Sequence, residues 1–388
     1  MTHTSPLIPT AENQSAWRTT SQPLLPAHLD RSQCTWADMF PTFPVNEGVV
    51  EPGWDALAKI MRGHSVVLLD GYGGVFWENT RTQLDTALTA MGNAVHWVSV
   101  ERFRKSADEI ESLAAPFLGG DDPLFGTRCT LTLSDFLDLD ALTQFQPDNN
   151  ADITILYGPG AALADLDGLL IYLDVPKNEI QFRSRAGVIQ NLYCDSADEP
   201  KRSYKRFYFV DWPLLNAHKC AVLPRIDFIV DEQRPDEPTF LEGNAFRQTL
   251  ELMATNWLRV RPWFEPGPWG GQWIKAHIPD LPQDVPNYAW SFELIVPENG
   301  LLLASQGLCL EVSFDFIMFQ NHKAILGERA EEFGYEFPVR FDFLDTMDGG
   351  NLSVQCHPRV PYIQQHFGET LTQDETYYIL DCGDNAEV

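Results

Sequence analysis

Basic side chains are scarce in this 388-residue chain: 27 lysines and arginines stand against 55 aspartates and glutamates, a formal net charge of −28. A nucleic-acid binder needs a basic surface to neutralise phosphates, so the deficit excludes that class. It also disfavours docking on anionic lipid. Long apolar runs are missing as well. The most obvious one, residues 168–173, is strand length and far short of the roughly 18 residues of a membrane helix. The opening residues carry neither a basic region nor an apolar stretch of the secretory kind. Cysteines number seven, are scattered, and form no CxxC pair. That pattern argues against a disulfide framework and against a structural thiolate zinc site. The reading is a reduced, cytoplasmic, soluble protein with no nucleic-acid and no membrane partner.

What is present points to folded cores. Hydrophobic residues make up 44% and aromatics 12%, which excludes global disorder. The length fits about two domains. Residues 241–388 hold 8 basic and 22 acidic side chains, against 19 and 33 in the first 240. The C-terminal part is therefore the more acidic per residue, and an anionic substrate there needs a local basic exception.

Residues 1–45, rich in Ser, Thr, Pro and Gln, read as a poorly ordered lead with a short docking piece around 24–43. From there the pattern is regular. Residues 65–69 form an apolar strand ending at Asp70, followed by the turn Gly71-Tyr72-Gly73-Gly74. Leu84, Leu88 and Met91 then mark a helix stopped by Gly92. Further strands are expected at 95–100, 153–157, 168–175 and 226–230. A helix is expected over 106–118, opened by a capping box of Ser106 and Glu109. Alternating strands and helices predict an α/β domain over residues 46–240. Beyond a helix near 245–258 and a Pro- and Trp-rich stretch, short strands are expected at 288–296, 300–304, 308–314, 337–344, 351–357 and 375–380. They predict an all-β domain, a barrel or jelly roll, over residues 245–388.

The strongest chemical constellation lies near the C-terminus. On a strand, Gln355 and His357 share a face, and Pro358 ends it; Glu375 opens the next strand and can face them. An amide oxygen, an imidazole and a carboxylate suit zinc with positions left open for water or substrate. A strand with a satisfied polar inner face is the alternative. The surrounding residues resemble the metal-binding core of the class I (cupin-type) mannose-6-phosphate isomerases. The likeness runs through Phe337-Pro338, the run Leu352-Ser353-Val354-Gln355-Cys356-His357-Pro358, and Glu375 ahead of a strand ending in Asp381. Trp269-Gly270-Gly271 and, more loosely, residues 287–293 extend it, so that it covers about residues 260–388. The resemblance implies a cupin/jelly-roll fold and Gln355, His357 and Glu375 as ligands of one Zn2+. Asp342 stands where the family usually carries Lys; Arg340, on the same face, is the candidate cation for an anionic substrate. Glu293 is the candidate proton-transfer base. The family's fourth ligand is a His well downstream of the Glu, and no His follows Glu375 here; His277 and His366 are the in-chain substitutes. The domain therefore reads as incomplete at its C-terminus, the N-terminal portion of a longer protein or a barrel completed by a partner.

The first domain resembles a P-loop kinase of the uridine-kinase-like group. The strand, glycine turn and helix at 65–91, the run 169–176, and Phe182-Arg183-Ser184-Arg185 carry that likeness. A working P-loop needs G-x-x-x-x-G-K-[ST]. No Gly-Lys dipeptide occurs in the chain, and Phe76, Trp77 and Glu78 fill the place of the phosphate. The domain reads as a degenerate kinase-like scaffold. The basic cluster 201–206, with Arg183 and Arg185, is either an anion site or a solvated face. The expected function is a zinc-dependent aldose–ketose isomerase of a sugar phosphate, converting mannose 6-phosphate to fructose 6-phosphate. The alternative is a non-catalytic sugar-phosphate or nucleotide-binding protein built from a pseudo-kinase and a cupin module.

Overall fold

Apolar runs with no polar alternation dominate the centre of the chain, and they form the inner strands of a mixed sheet. A computed structural model describes residues 17–29, 38–196, 198–295, 298–384 and 386. Much of the expected N-terminal lead, residues 1–16 and 30–37, lies outside them. In chain order the first half comprises β1 (Phe43–Pro44), β2 (Glu51–Pro52), α1 (Trp54–Met61), β3 (Val66–Gly71), α2 (Trp77–Ala90), β4 (Val95–Ser99) and α3 (Ala107–Ala114). Then follow α4 (Leu139–Thr143), β5 (Ile153–Tyr157), β6 (Leu169–Asp174), α5 (Lys177–Arg185), α6 (Pro200–Arg206) and α7 (Trp212–Val222). The half closes with β7 (Phe228–Asp231), β8 (Thr239–Glu242) and α8 (Gly243–Ala254).

Seven of these strands make one sheet in the order β2-β8-β7-β6-β3-β5-β4. β4, β5, β3, β6 and β7 run parallel, and β8 returns antiparallel. β5 and β6 are buried along their whole length, as parallel strands covered on both faces must be. The chain leaves β3 toward the β5–β4 side and leaves β6 toward β7. These neighbours therefore flank a topological switch point, where the carboxyl ends of the strands diverge. α3 begins as its capping box dictates: Glu109 N–H donates to Ser106 Oγ at 3.4 Å and Ser106 N–H donates to Glu109 Oε2 at 3.0 Å. It stops at Ala114, four residues earlier than expected, and a 3-10 turn containing Pro116 takes over. Proline has no N–H to continue the ladder.

The second half contributes β9 (Trp263–Glu265), α9 (Trp273–His277), β10 (Trp290–Leu294), β11 (Gly300–Ser305), β12 (Leu308–Ser313), α10 (Asp315–Leu326), α11 (Ala330–Phe333), β13 (Phe341–Leu344) and α12 (Val360–Phe367). β11 and β12 form a hairpin closed by Gln306-Gly307, both at positive φ (52° and 81°), the primed-turn geometry that matches strand twist. The hairpin does not join a separate β domain. Leu301, Leu303, Leu310 and Val312, with Phe316 and Met318 of α10, share one core with the large sheet and its helices. The hydrophobic core thus runs past the boundary expected near residue 245. The N-terminal residues 17–29 pack on it too: Arg18 pairs with Glu179 at 2.9 Å, both buried.

The remaining strands build a smaller antiparallel sheet, β9-β10-β13. Beneath it lies a core of Phe264, Ile274, Leu281, Val285 and Tyr288. Gly270 and Gly271 are needed here: a Cβ at Gly270 would meet Asn287 Oδ1 at 2.1 Å, and one at Gly271 would meet Asp345 Oδ1 at 2.2 Å. The strands expected at 351–357 and 375–380 are not formed, and no closed barrel is present among the described residues. The physical reason is visible in their surroundings. Neither segment finds a ladder partner or a face to bury, and Val354 and Tyr378 are 98% and 86% exposed.

Candidate functional site

Two places gather chemistry-bearing side chains: the carboxyl ends of the parallel strands and the C-terminal segment. At the first, Asp70 is the penultimate residue of β3 and Asp174 the last of β6, both fully buried. Asp70 accepts from the backbone N–H groups of Gly71, Gly160 and Ala162 at 2.7–3.0 Å, and lies 2.7 Å from His218 Nε2. Asp174 accepts from Ser313 N–H and Oγ, each at 2.7 Å, and pairs with Lys219 Nζ at 2.8 Å. Lys177 pairs with Asp315 at the start of α10. Lys219 sits 3.8 Å over the Tyr72 ring, and burial pushes its ammonium below the usual lysine range. None of Lys177, Lys219 and Glu232 was singled out from the sequence. For Lys177 and Glu232 the available signal was a charged residue one to three positions beyond a buried apolar strand; Lys219, inside α7, carried none.

The glycine turn after β3 packs against a buried carboxylate of the chain. Phe76 N–H, just ahead of α2, donates to Glu232 Oε1 at 3.4 Å. Arg183 donates to Glu232 Oε2 at 2.7 Å, to Glu232 O at 2.9 Å and to Gly74 O at 2.6 Å, with its guanidinium 4.1 Å over the Phe76 ring. A carboxylate of the chain itself therefore accepts from the Phe76 N–H at the start of α2, the kind of group that can hold an external anion. Burial outweighs the arginine and pushes the Glu232 carboxyl up to about 7. The basic cluster of α6 is likewise engaged in part: Arg206 pairs with Glu111 at 3.1 Å, Lys205 donates to Asp122 O, and Lys201 and Arg202 are exposed. Arg185 pairs with Glu265 at 2.9 Å.

In the C-terminal segment, His357 Nε2 lies 2.8 Å from Glu375 Oε2, joining two stretches 18 residues apart. Tyr377 Oη donates to Glu375 Oε1 at 2.5 Å. The Tyr377 hydroxyl first, and His357 second, hold the Glu375 carboxyl below its ordinary range. Asp342 is raised by burial and by the nearby Glu375 charge. Gln355 is exposed, in the same stretch as His357, and makes no hydrogen bond to either partner. An imidazole nitrogen beside a carboxylate oxygen is the right donor chemistry for zinc. Those two donors fit. Among the described residues no group of three or more His, Cys, Asp or Glu side chains is placed to hold a metal ion.

The other candidates lie apart from this pair. Arg340 donates to Phe337 O and Val339 O, and its charged neighbours are Glu298, Glu336 and Glu369. Burial lowers its pKa. Glu293 stands on β10 beside β13, and its side chain lies outside the described residues. His277 stacks on Trp273 with ring centroids 3.8 Å apart, and His366 packs at a tilt against Tyr362 at 4.2 Å. Neither meets His357 or Glu375.

No helix among the described residues is long and apolar enough to cross a membrane. Part of the chain is similar to the mannose-6-phosphate isomerase ManA of Bacillus subtilis (strain 168), 27% identical over 136 residues. That match covers 35% of this chain, which spans about 41% of the length of that relative. The α/β unit carries a second likeness: residues 53–255, just over half of the chain, match the family described as Domain of unknown function (DUF8485), and the chain belongs to that family.

Proposed function

We propose that this chain carries the metal-binding portion of a zinc-dependent aldose–ketose isomerase of a sugar phosphate, acting on mannose 6-phosphate to give fructose 6-phosphate. The observation that carries the reading is the 2.8 Å approach of His357 to Glu375, supported by the likeness to a mannose-6-phosphate isomerase. Gln355, His357 and Glu375 would hold the ion, which when bound supplies Lewis-acid polarisation of substrate oxygens. The chain's own residues do the rest. Tyr377 donates to the other oxygen of Glu375 and lowers the pKa of that carboxyl. Arg340 is assigned to the phosphate. Glu293 is assigned to the proton that moves between C1 and C2, a role that needs a base within hydrogen-bond reach.

Fructose 6-phosphate formation from mannose 6-phosphate, followed in a coupled assay with added zinc, tests the reading. Activity in the native chain that is lost in His357→Ala is expected. Arg340→Glu should raise KM with metal content unchanged, and Glu293→Gln should lower kcat. A native chain that binds zinc but does not turn over mannose 6-phosphate or another hexose phosphate would contradict it. The second reading, a non-catalytic binder of sugar phosphates or nucleotides, draws on the exposed Lys201 and Arg202 of α6. Stabilisation by a nucleotide in a thermal-shift panel, with no isomerase activity, would favour it.

A further inference from the structure

Among the described residues the small sheet ends at β13 with no strand beyond it. Phe341 and Phe343, on one face of β13, are 49% and 37% exposed, with their rings edge-on at 5.2 Å. Close by runs the stretch Tyr377-Tyr378-Ile379-Leu380: the first turn of α9 holds both Asp345, the residue after β13, which accepts from Ile274 N–H at 2.9 Å, and Asp381, the residue after the stretch. The four side chains of the stretch are each at least 59% exposed. Among the described residues, none of them makes a backbone–backbone hydrogen bond. Just beyond, Asp381 is tied down by a 2.9 Å bond from Trp273 Nε1. These residue types favour strands, yet they have neither a ladder nor cover. A strand edge with free backbone groups beside contiguous exposed apolar side chains is a template for another strand.

Charge identifies the occupant. Between residues 330 and 384 there are 11 acidic and two basic side chains, and one of the two, Arg340, is engaged with backbone carbonyls among carboxylates. A second copy of a chain of net charge −28 would be repelled; a basic segment would be drawn in. We propose that β13 and the Tyr377–Leu380 stretch form a docking surface for a positively charged, extended segment of another protein, which adds to it as a strand. Main-chain bonds supply affinity in this mode, and alternate side chains supply specificity. The segment would set apolar residues against Phe341, Phe343 and Tyr378 and turn lysines or arginines toward the carboxylates. This inference does not depend on isomerase activity or on zinc.

The test uses the full chain and a labelled synthetic peptide alternating lysine with valine, followed by fluorescence anisotropy and by amide hydrogen exchange. Binding that weakens with salt is expected, together with slowed exchange in residues 341–344 and 375–381. Phe343→Lys and Ile379→Lys, both at exposed positions, should each weaken binding about tenfold, as loss of an apolar anchor does, with the thermal midpoint unchanged. Equal binding of a glutamate–valine peptide would overturn the proposal. So would peptide binding without protection of those amides, or binding unchanged in both variants. Protection of the same amides in a concentration-dependent dimer without peptide would assign the surface to a second copy and overturn it as well.

Discussion

Replacing Arg183 by methionine removes one side of a fully buried ion pair and tests how the carboxyl end of the sheet is held. The side chain loses three bonds, to Glu232 Oε2 at 2.7 Å, Glu232 O at 2.9 Å and Gly74 O at 2.6 Å, and its contacts with the Phe76 and Trp17 rings at 4.1 and 5.1 Å. What remains for the Glu232 carboxylate is the Phe76 N–H at 3.4 Å, in a site with no solvent exposure. Breaking such a pair costs about 3–5 kcal/mol, because the other charge stays buried. The cost depends on pH in a defined direction. Glu232 already has its pKa raised from an ordinary 4.5 to about 7. Losing the arginine raises it further, so the variant's native state takes up a proton that the unfolded chain releases. The penalty is therefore larger at pH 8 than at pH 5. Urea unfolding followed by tryptophan fluorescence at both pH values measures it. Adding Glu232→Leu to Arg183→Met removes the stranded charge, and stability at pH 8 should return toward that of the native chain. A loss below about 1 kcal/mol, the range of exposed pairs, would refute the reasoning. An equal loss at pH 5 and pH 8 would also refute it.

The same glutamate sets a trend in the unaltered protein. A pKa higher in the folded than in the unfolded chain contributes stability that is complete below pH 4.5 and lost as pH rises through about 7. The loss is about 3 kcal/mol, absent from Glu232→Gln when the two pH–stability profiles are compared. Leu310→Ala empties a fully buried position in the shared core and should cost about 2–5 kcal/mol. Because β12 belongs to that core, the loss should appear in the same unfolding transition as Leu156→Ala in β5. Ser106→Ala removes the α3 cap and should cost about 1 kcal/mol, with faster amide exchange confined to residues 107–114.

Much of the large sheet was legible in the sequence because buried parallel strands leave a simple mark. The apolar runs at 65–69, 153–157 and 168–175 coincide with β3, β5 and β6. The Ser106–Glu109 box was legible because its bonds are local. What escaped depends on tertiary partners. β11 and β12 carry an ordinary strand pattern, and nothing in that pattern says they pack with α8 and the large sheet rather than with β10. Residues 351–357 and 375–380 carry a strand pattern with no ladder to enter. Lys177 and Lys219 look like surface residues in sequence, and they are buried because Asp315 and Asp174 reach them. At the candidate metal site, strand spacing put Gln355 beside His357 with Glu375 facing them; neither strand forms, and His357 and Glu375 lie 2.8 Å apart across irregular chain while Gln355 bonds to neither. Strand spacing also did not anticipate that Arg340 would turn to its own backbone carbonyls and lie among Glu298, Glu336 and Glu369.

Zinc content tests the central claim most directly. The purified chain, equilibrated with zinc and then dialysed, is analysed by elemental mass spectrometry beside His357→Ala and Glu375→Gln. The account expects about one zinc per native chain, the stoichiometry of a single mononuclear site, and little in either variant, with thermal midpoints of the apo proteins unchanged. A native chain that retains no zinc, or variants that retain as much as the native chain, would contradict it.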